Sequence, residues 1–236
     1  MQTQRSHAVD LWRKAHEWGG NCHPRIHALG VDDAATQPAH LLLNRSDVLA
    51  CNGAYLHGVI EAKCAASRLP PENTTRYTYS SICTIPPPMK LLRFQCAHGI
   101  GHGVLRAVGR HVSRALAICG SASISQFDAR MCQNGAWHDY VLGIVHELPP
   151  EHIMGMCVSF GSEDCAVYAP TSHMRNMSIL DGAIDWCEAA TAQDTKYREA
   201  CEFGVGYRAS KTNPGDMAAG ERACRANERC TRSAEP

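Results

Sequence analysis

Cys96-Ala-His98-Gly-Ile-Gly-His102-Gly103 is the stretch on which the reading of this chain turns. Two other segments align with it without gaps, Cys51-Asn-Gly-Ala-Tyr-Leu-His57-Gly58 and Cys132-Gln-Asn-Gly-Ala-Trp-His138-Asp139. In each, cysteine opens the unit, glycine follows two or three residues on, and histidine stands at offset six. A fourth segment, Cys201-Glu-Phe-Gly204-Val-Gly-Tyr207, keeps cysteine and glycine but carries tyrosine in place of histidine. Aliphatic residues follow the histidine in the first three, as in Val59-Ile60 and Val104-Leu105. Self-similarity of this kind marks a repeated supersecondary unit.

A second regularity lies upstream. Cys83 precedes Cys96 by 13 residues, Cys119 precedes Cys132 by 13, and Cys187 precedes Cys201 by 14. The unit therefore reads as a helix ending in Cys, a loop, and a helix beginning with Cys. A disulfide across the loop closes a helical hairpin. This predicts Cys83–Cys96, Cys119–Cys132 and Cys187–Cys201, with Cys157–Cys165 as a fourth. Cys22 and Cys64 have no obvious local partner, and an odd total of 13 cysteines leaves one over.

The expected fold class is all-α: disulfide-stapled helical hairpins from degenerate Cys-x-x-Gly-x-x-His repeats, packed into one compact domain. Helices are expected over 7–17, 23–36, 47–67, 90–118, 132–147, 151–158, 179–190 and 195–208. Leu-Pro-Pro-Glu at 69–72 and again at 148–151 suits the first turn of a following helix. Residues 1–212 are expected to form the helical repeat domain, with 158–178 as an inserted loop. Residues 213–236 are expected to be a polar tail pinned by Cys224 and Cys230. Ala and Gly with only 6% aromatic residues favour closely approaching helices.

Composition excludes several functions. Lys plus Arg and Asp plus Glu both total 23, so no net field draws nucleic acid or an anionic membrane. Cysteines spread along the chain without Cys-x-x-Cys pairs read as a disulfide framework from an oxidising compartment. A secreted or periplasmic location is therefore expected. The first residues lack an apolar leader, so a leader is expected to have been removed. No phosphate-binding loop, dinucleotide fingerprint or nucleophile elbow is present. His146-Glu147-Leu-Pro-Pro-Glu-His152 fails as a zinc-protease motif, because the second histidine comes two residues late and prolines interrupt the helix.

The histidines carry the chemistry. His23 with His27, His57 with Glu61, and His98 with His102 are spaced i, i+4, which on a helix places both side chains on one face about 6 Å apart. Two such groups can reach one ion through bonds of about 2.0–2.2 Å. His138 adds a further donor at the equivalent register. The metal ligands expected are His57, His98, His102 and His138, joined by Glu61, His27 and His23. The competing reading is a tight helix crossing in which histidines are merely hydrogen-bonded in the core. Imidazole with one carboxylate suits zinc, copper or iron; an oxidising compartment disfavours a ferrous site, so copper is expected first, then zinc or iron, and the surplus of donors allows a dinuclear centre.

The function expected is a secreted metal-binding protein, a copper- or iron-dependent oxidoreductase acting on a small-molecule or extracellular substrate. A zinc hydrolase is the alternative, with Glu61 as catalytic base toward metal-bound water. A non-catalytic extracellular repeat with structural histidines is the third reading.

Overall fold

The computed structural model describes residues 11–19, 22–43, 47–66, 83, 90–122, 125–144, 147–173, 182–191, 194–212, 224 and 230. Among these, every regular element is helical. Residues 11–18 form a first helical stretch. The helices after it are α1 (Cys22–Thr36), α2 (Ala39–Leu43), α3 (Ala50–Ala65), α4 (Lys90–Ala107), α5 (Val112–Ala122), α6 (Gln126–Ile144), α7 (Pro150–Ser159), α8 (Glu163–Tyr168), α9 (Pro170–His173), α10 (Ala183–Ala190) and α11 (Thr195–Thr212). None among the described residues is long and apolar enough to cross a membrane. The chain divides into two compact units, Met1–Asp139 and Tyr140–Pro236.

All four expected disulfides are present: Cys83–Cys96, Cys119–Cys132, Cys157–Cys165 and Cys187–Cys201. Cys22 is joined to Cys51, 29 residues away, and Cys224 to Cys230. Six bridges use twelve of the 13 cysteines, and Cys64 keeps a buried thiol. Such density belongs to proteins matured in an oxidising environment.

Several boundaries differ from expectation for local reasons. The helices do not begin at their cysteines: Cys96 and Cys132 each sit well inside α4 and α6. Helix α6 starts earlier because Ser125 caps it, its hydroxyl accepting the Asp128 amide at 3.1 Å. Arg93 from α4 clamps the same end, donating to both Asp128 oxygens at 2.8 and 2.6 Å. Burial would raise the Asp128 pKa, but the Arg93 and Ser125 hydrogen bonds overcome it and hold it below the usual value.

The single helix expected over 90–118 is two, because Gly109 and Arg110 adopt left-handed conformations (φ 63° and 64°) that end α4. The stretch expected as a loop from 158 is helical over α8 and α9. Ser162 caps α8 by accepting from the Cys165 amide, and Glu163 and Asp164 fill its first turn. Residues 174–178 of that stretch, and the first Leu-Pro-Pro-Glu, lie outside the described residues. The second Leu-Pro-Pro-Glu does open a helix, with Pro150 in the first turn of α7.

In the first unit, glycines set how closely the helices cross. A Cβ on Gly30 would collide with the Tyr55 carbonyl, and one on Gly58 with the His27 carbonyl, so α1 and α3 meet backbone on backbone. Helices α4 and α6 do the same, Gly101 against the Cys132 carbonyl and Gly135 against the His98 carbonyl. Ion pairs and hydrogen bonds fasten the ends. Tyr55 donates to Asp33 at 2.5 Å, and Lys63 donates to the Ala34 and Gln37 carbonyls at the C-terminal end of α1. The second unit packs α8 against α11, where a Cβ on Gly204 would collide with the Val167 carbonyl.

Candidate metal centre

These close crossings turn one side chain after another inward. His57 and Glu61 come from α3, His98 and His102 from α4, His138 from α6, and His23 and His27 from α1. His57, Glu61, His98, His102 and His138 are all buried, while His23 and His27 are partly so. The rings form one cluster. Centroids of His57 and His98, and of His98 and His102, are 4.9 Å apart. His138 lies 5.2 Å from His98 and 5.3 Å from His102. His27 is 6.0 Å from His102, and His23 is 5.6 Å from His57. Every histidine that the repeat register and the i, i+4 spacing single out thus faces its fellows.

Two ligand triads emerge within the cluster. His57, His98 and His102 each offer a donor atom, and the three atoms lie within 4.8 Å of one another. His27, Glu61 and His102 do the same. Either set could hold a metal ion, whose bonds to imidazole nitrogen and carboxylate oxygen are about 2.0–2.2 Å.

Oxygen acceptors around the cage fix which ring nitrogen faces inward. Gln95 Oε1 accepts from His57 Nε2 at 2.6 Å, leaving Nδ1 with its lone pair. Asn134 Oδ1 accepts from His98 Nδ1 at 3.0 Å, leaving Nε2, which lies 3.1 Å from His138 Nδ1. The Cys51 carbonyl accepts from His23 Nδ1 at 2.9 Å. This is the outer arrangement that orients metal-binding imidazoles and sets their tautomer. His57 Nδ1, His102 Nε2 and Glu61 Oε2 are buried and make no hydrogen bond among the described residues.

Burial and neighbouring groups favour the neutral form of two of the rings, His57 and His102. Burial, and then the neighbouring imidazoles His98, His23 and His27, push the His57 pKa well below its ordinary value. Burial also lowers His102, reinforced by His57, His27, His23 and Arg106. Neutral imidazole is the form that ligates metal. Glu61 is held by Arg106, whose Nη1 lies 2.5 Å from Oε1, while Oε2 is 3.1 Å from His27 Nε2. Arg106 also approaches Asp139 at 3.9 Å, and Arg110 does so at 3.6 Å. Burial raises the Asp139 pKa against the pull of both arginines. Asp139 therefore faces arginines, and it is His138 before it that faces the cage.

Gln95, Asn134 and Arg106 are parts of the site that the sequence pattern did not single out. Arg106 follows His102 by four residues, so extending the i, i+4 ladder one more turn reaches it. Asn134 stands two residues after Cys132, the offset at which His98 follows Cys96. The approach of Gln95 depends on Gly53: a Cβ there would press on the Gln95 side chain at 3.0 Å. Gly53 ends a left-handed turn of three residues, Cys51, Asn52 and Gly53, with φ of 54°, 59° and 71°. The non-glycine positions cost about 1–2 kcal/mol each. The Cys22–Cys51 bridge and the His23 hydrogen bond to the Cys51 carbonyl hold the turn in place.

Comparison with protein-family models, with curated proteins and with solved structures finds no match. What the chain does is read from this site alone.

Proposed function

We propose that the chain is an extracytoplasmic metalloprotein that holds copper in its histidine cage and uses it for oxidation–reduction of a small molecule. One observation carries this reading: two donor atoms, His57 Nδ1 and His102 Nε2, are buried without hydrogen-bond partners among the described residues, and both residues belong to a set of three histidines whose donor atoms lie within 4.8 Å of one another. Leaving a buried polar atom unsatisfied costs about 1–3 kcal/mol. A cation bound there would relieve both, whereas histidines serving only as core hydrogen-bonding groups would be paired.

The donor set favours copper. Imidazole nitrogens dominate it, and among divalent first-row ions such sites bind copper(II) most tightly. Burial of the cage argues for a small substrate. Six disulfides support a compartment in which thiols are oxidised and a redox-active ion is handled outside the cytosol. Iron is the second redox candidate.

A zinc hydrolase is favoured by one feature, the His27–Glu61–His102 triad, which has the two-histidine, one-carboxylate composition of hydrolytic zinc sites. In that reading Glu61 was to serve as general base. Its engagement by Arg106 and His27 supports a ligand role for it instead.

The test is elemental analysis and electron paramagnetic resonance of protein purified from a periplasmic or secreted preparation without a histidine tag. Copper at one or more ions per chain is the expected result, with a copper(II) signal where a single ion is bound. Stoichiometric zinc with no redox metal would shift the reading to the hydrolase. A chain that binds none of these ions, even when offered them in metal-free form, overturns the proposal.

A further inference from the structure

The two triads share one residue, and that residue differs from its neighbours. His23, His57 and His98 each give one ring N–H to an oxygen acceptor, the Cys51 carbonyl, Gln95 Oε1 and Asn134 Oδ1. An oxygen acceptor on one ring nitrogen, which orients the other, is the ordinary condition of a metal-binding histidine. His102 has no such arrangement. Its Nε2 is buried and without a hydrogen-bond partner among the described residues. Its Nδ1 stands 3.7 Å from Glu61 Oε2, beyond hydrogen-bonding length. One edge of the ring thus faces Glu61, a member of the triad with His27. The ring also belongs to the triad of His57 and His98.

We infer that His102 bridges two copper ions as an imidazolate, one ion held with His57 and His98 and the other with His27 and Glu61. The inference rests on the copper reading above and deepens it. The two nitrogens of one imidazole point in opposite directions, so a ring bound through both joins two ions that share no other ligand. Neutral His102 carries a single ring proton. Binding of the first ion to the unprotonated nitrogen leaves that proton in place. Binding of the second displaces it to solvent, the ring becomes an anion, and no electron changes hands. Arg106, paired with Glu61 Oε1, lies beside this half of the cage. His138, with Nδ1 close to His98 Nε2, adjoins the other half.

The arrangement that competes is a single ion on His57, His98 and His102, with the His102 Nδ1–H closing onto Glu61 as an ordinary orienting contact. The two differ in stoichiometry and in magnetism. The full-length, disulfide-intact, metal-free chain is titrated with copper(II), and the low-temperature paramagnetic resonance signal is integrated against bound copper. Two ions per chain are expected, with the integrated signal lost as the second site fills, because an imidazolate couples the two spins antiferromagnetically. His27→Ala removes a ligand from one triad only. It should bind one ion and retain the full signal of that ion. Saturation at one ion in the unaltered chain overturns the bridge while leaving the copper reading intact. Two ions with an undiminished signal overturn it equally, since they would be magnetically independent. Failure to bind copper at all would instead remove the reading on which the inference rests.

Discussion

At the α4–α6 crossing Gly135 lies against the carbonyl of His98, and at the α8–α11 crossing Gly204 lies against the carbonyl of Val167. The spacing from the cysteines is the same in both: His98 and Val167 each follow a disulfide cysteine by two residues, and Gly135 and Gly204 each follow one by three. At offset six, where the first unit has His102 and His138, the second has Thr171 and Tyr207. The second unit therefore makes the same crossing with valine, threonine and tyrosine in the places of three histidines. Glycine and disulfides suffice to bring such helices together. The histidines of the first unit are not needed for the crossing, which weakens the reading of them as packing residues.

The largest contrast should come from removing a histidine in one unit and its counterpart in the other. His102→Ala is expected to lose essentially all bound metal while keeping its helical circular dichroism, whereas Tyr207→Ala leaves metal content unchanged. Full occupancy in the His102 variant, measured by elemental analysis, would break the comparison at its root.

Disulfide removal comes next. Loops of 13 and 14 residues are closed by Cys119–Cys132 and Cys187–Cys201, and each bridge is expected to contribute about 3 kcal/mol. Replacing either pair by alanine should lower stability to a similar extent in denaturant titrations. Only loss of Cys119–Cys132 should also weaken metal affinity.

Smaller effects are expected from Gly135→Ala and Gly204→Ala. Each added methyl meets a carbonyl oxygen across a helix crossing, and overpacking of this kind costs about 1–3 kcal/mol. Equal destabilisation with metal loss confined to Gly135→Ala would sharpen the contrast, and a neutral Gly204→Ala would show that the second crossing is looser than the first.

The mildest effect concerns pH in the metal-free chain. His57 and His102 have folded pKa values well below the ordinary one, by burial first and then by their neighbours. On acidification the unfolded chain takes up protons near the ordinary histidine value of about 6.5 while the folded cage resists. Stability is therefore full above that value and falls as pH drops through it toward the folded values. The thermal midpoint should decline over this window, and the decline should shrink in a His57→Gln, His102→Gln variant. An unchanged slope would place the titration elsewhere, outside the cage.

Much of this was legible in the residues, because some signals are short in range and others are not. A spacing of 13 or 14 between cysteines is a local constraint, and the pairs it implies are the pairs that form. Histidine positions are likewise fixed by helical periodicity, which is why the i, i+4 pairs and the offset-six positions converge. Cys22–Cys51 spans 29 residues and exists only because α1 crosses α3, a tertiary fact with no local mark. Gln95 and Arg106 carry no motif, since a glutamine and an arginine on a helix are ordinarily solvated, and their roles follow from what a neighbouring helix places beside them. Helix α6 starts ahead of Cys132 because Ser125 and Asp128 form an N-cap pattern that lies outside the cysteine repeat.

The backbone-on-backbone crossings have a mechanical consequence. Where Gly30 meets Tyr55 and Gly101 meets Cys132, no side chain lies between the helices to act as a cushion, and backbone atoms already in contact cannot be pressed closer. The frame carrying the histidines is therefore stiff, and any adjustment to an ion is left to the two side-chain torsions of each ring. If the cage takes an ion, such a frame would discriminate by radius and angular preference more than by strength of attraction, so an ion that demands a different polyhedron would be turned away even where its affinity for imidazole is high.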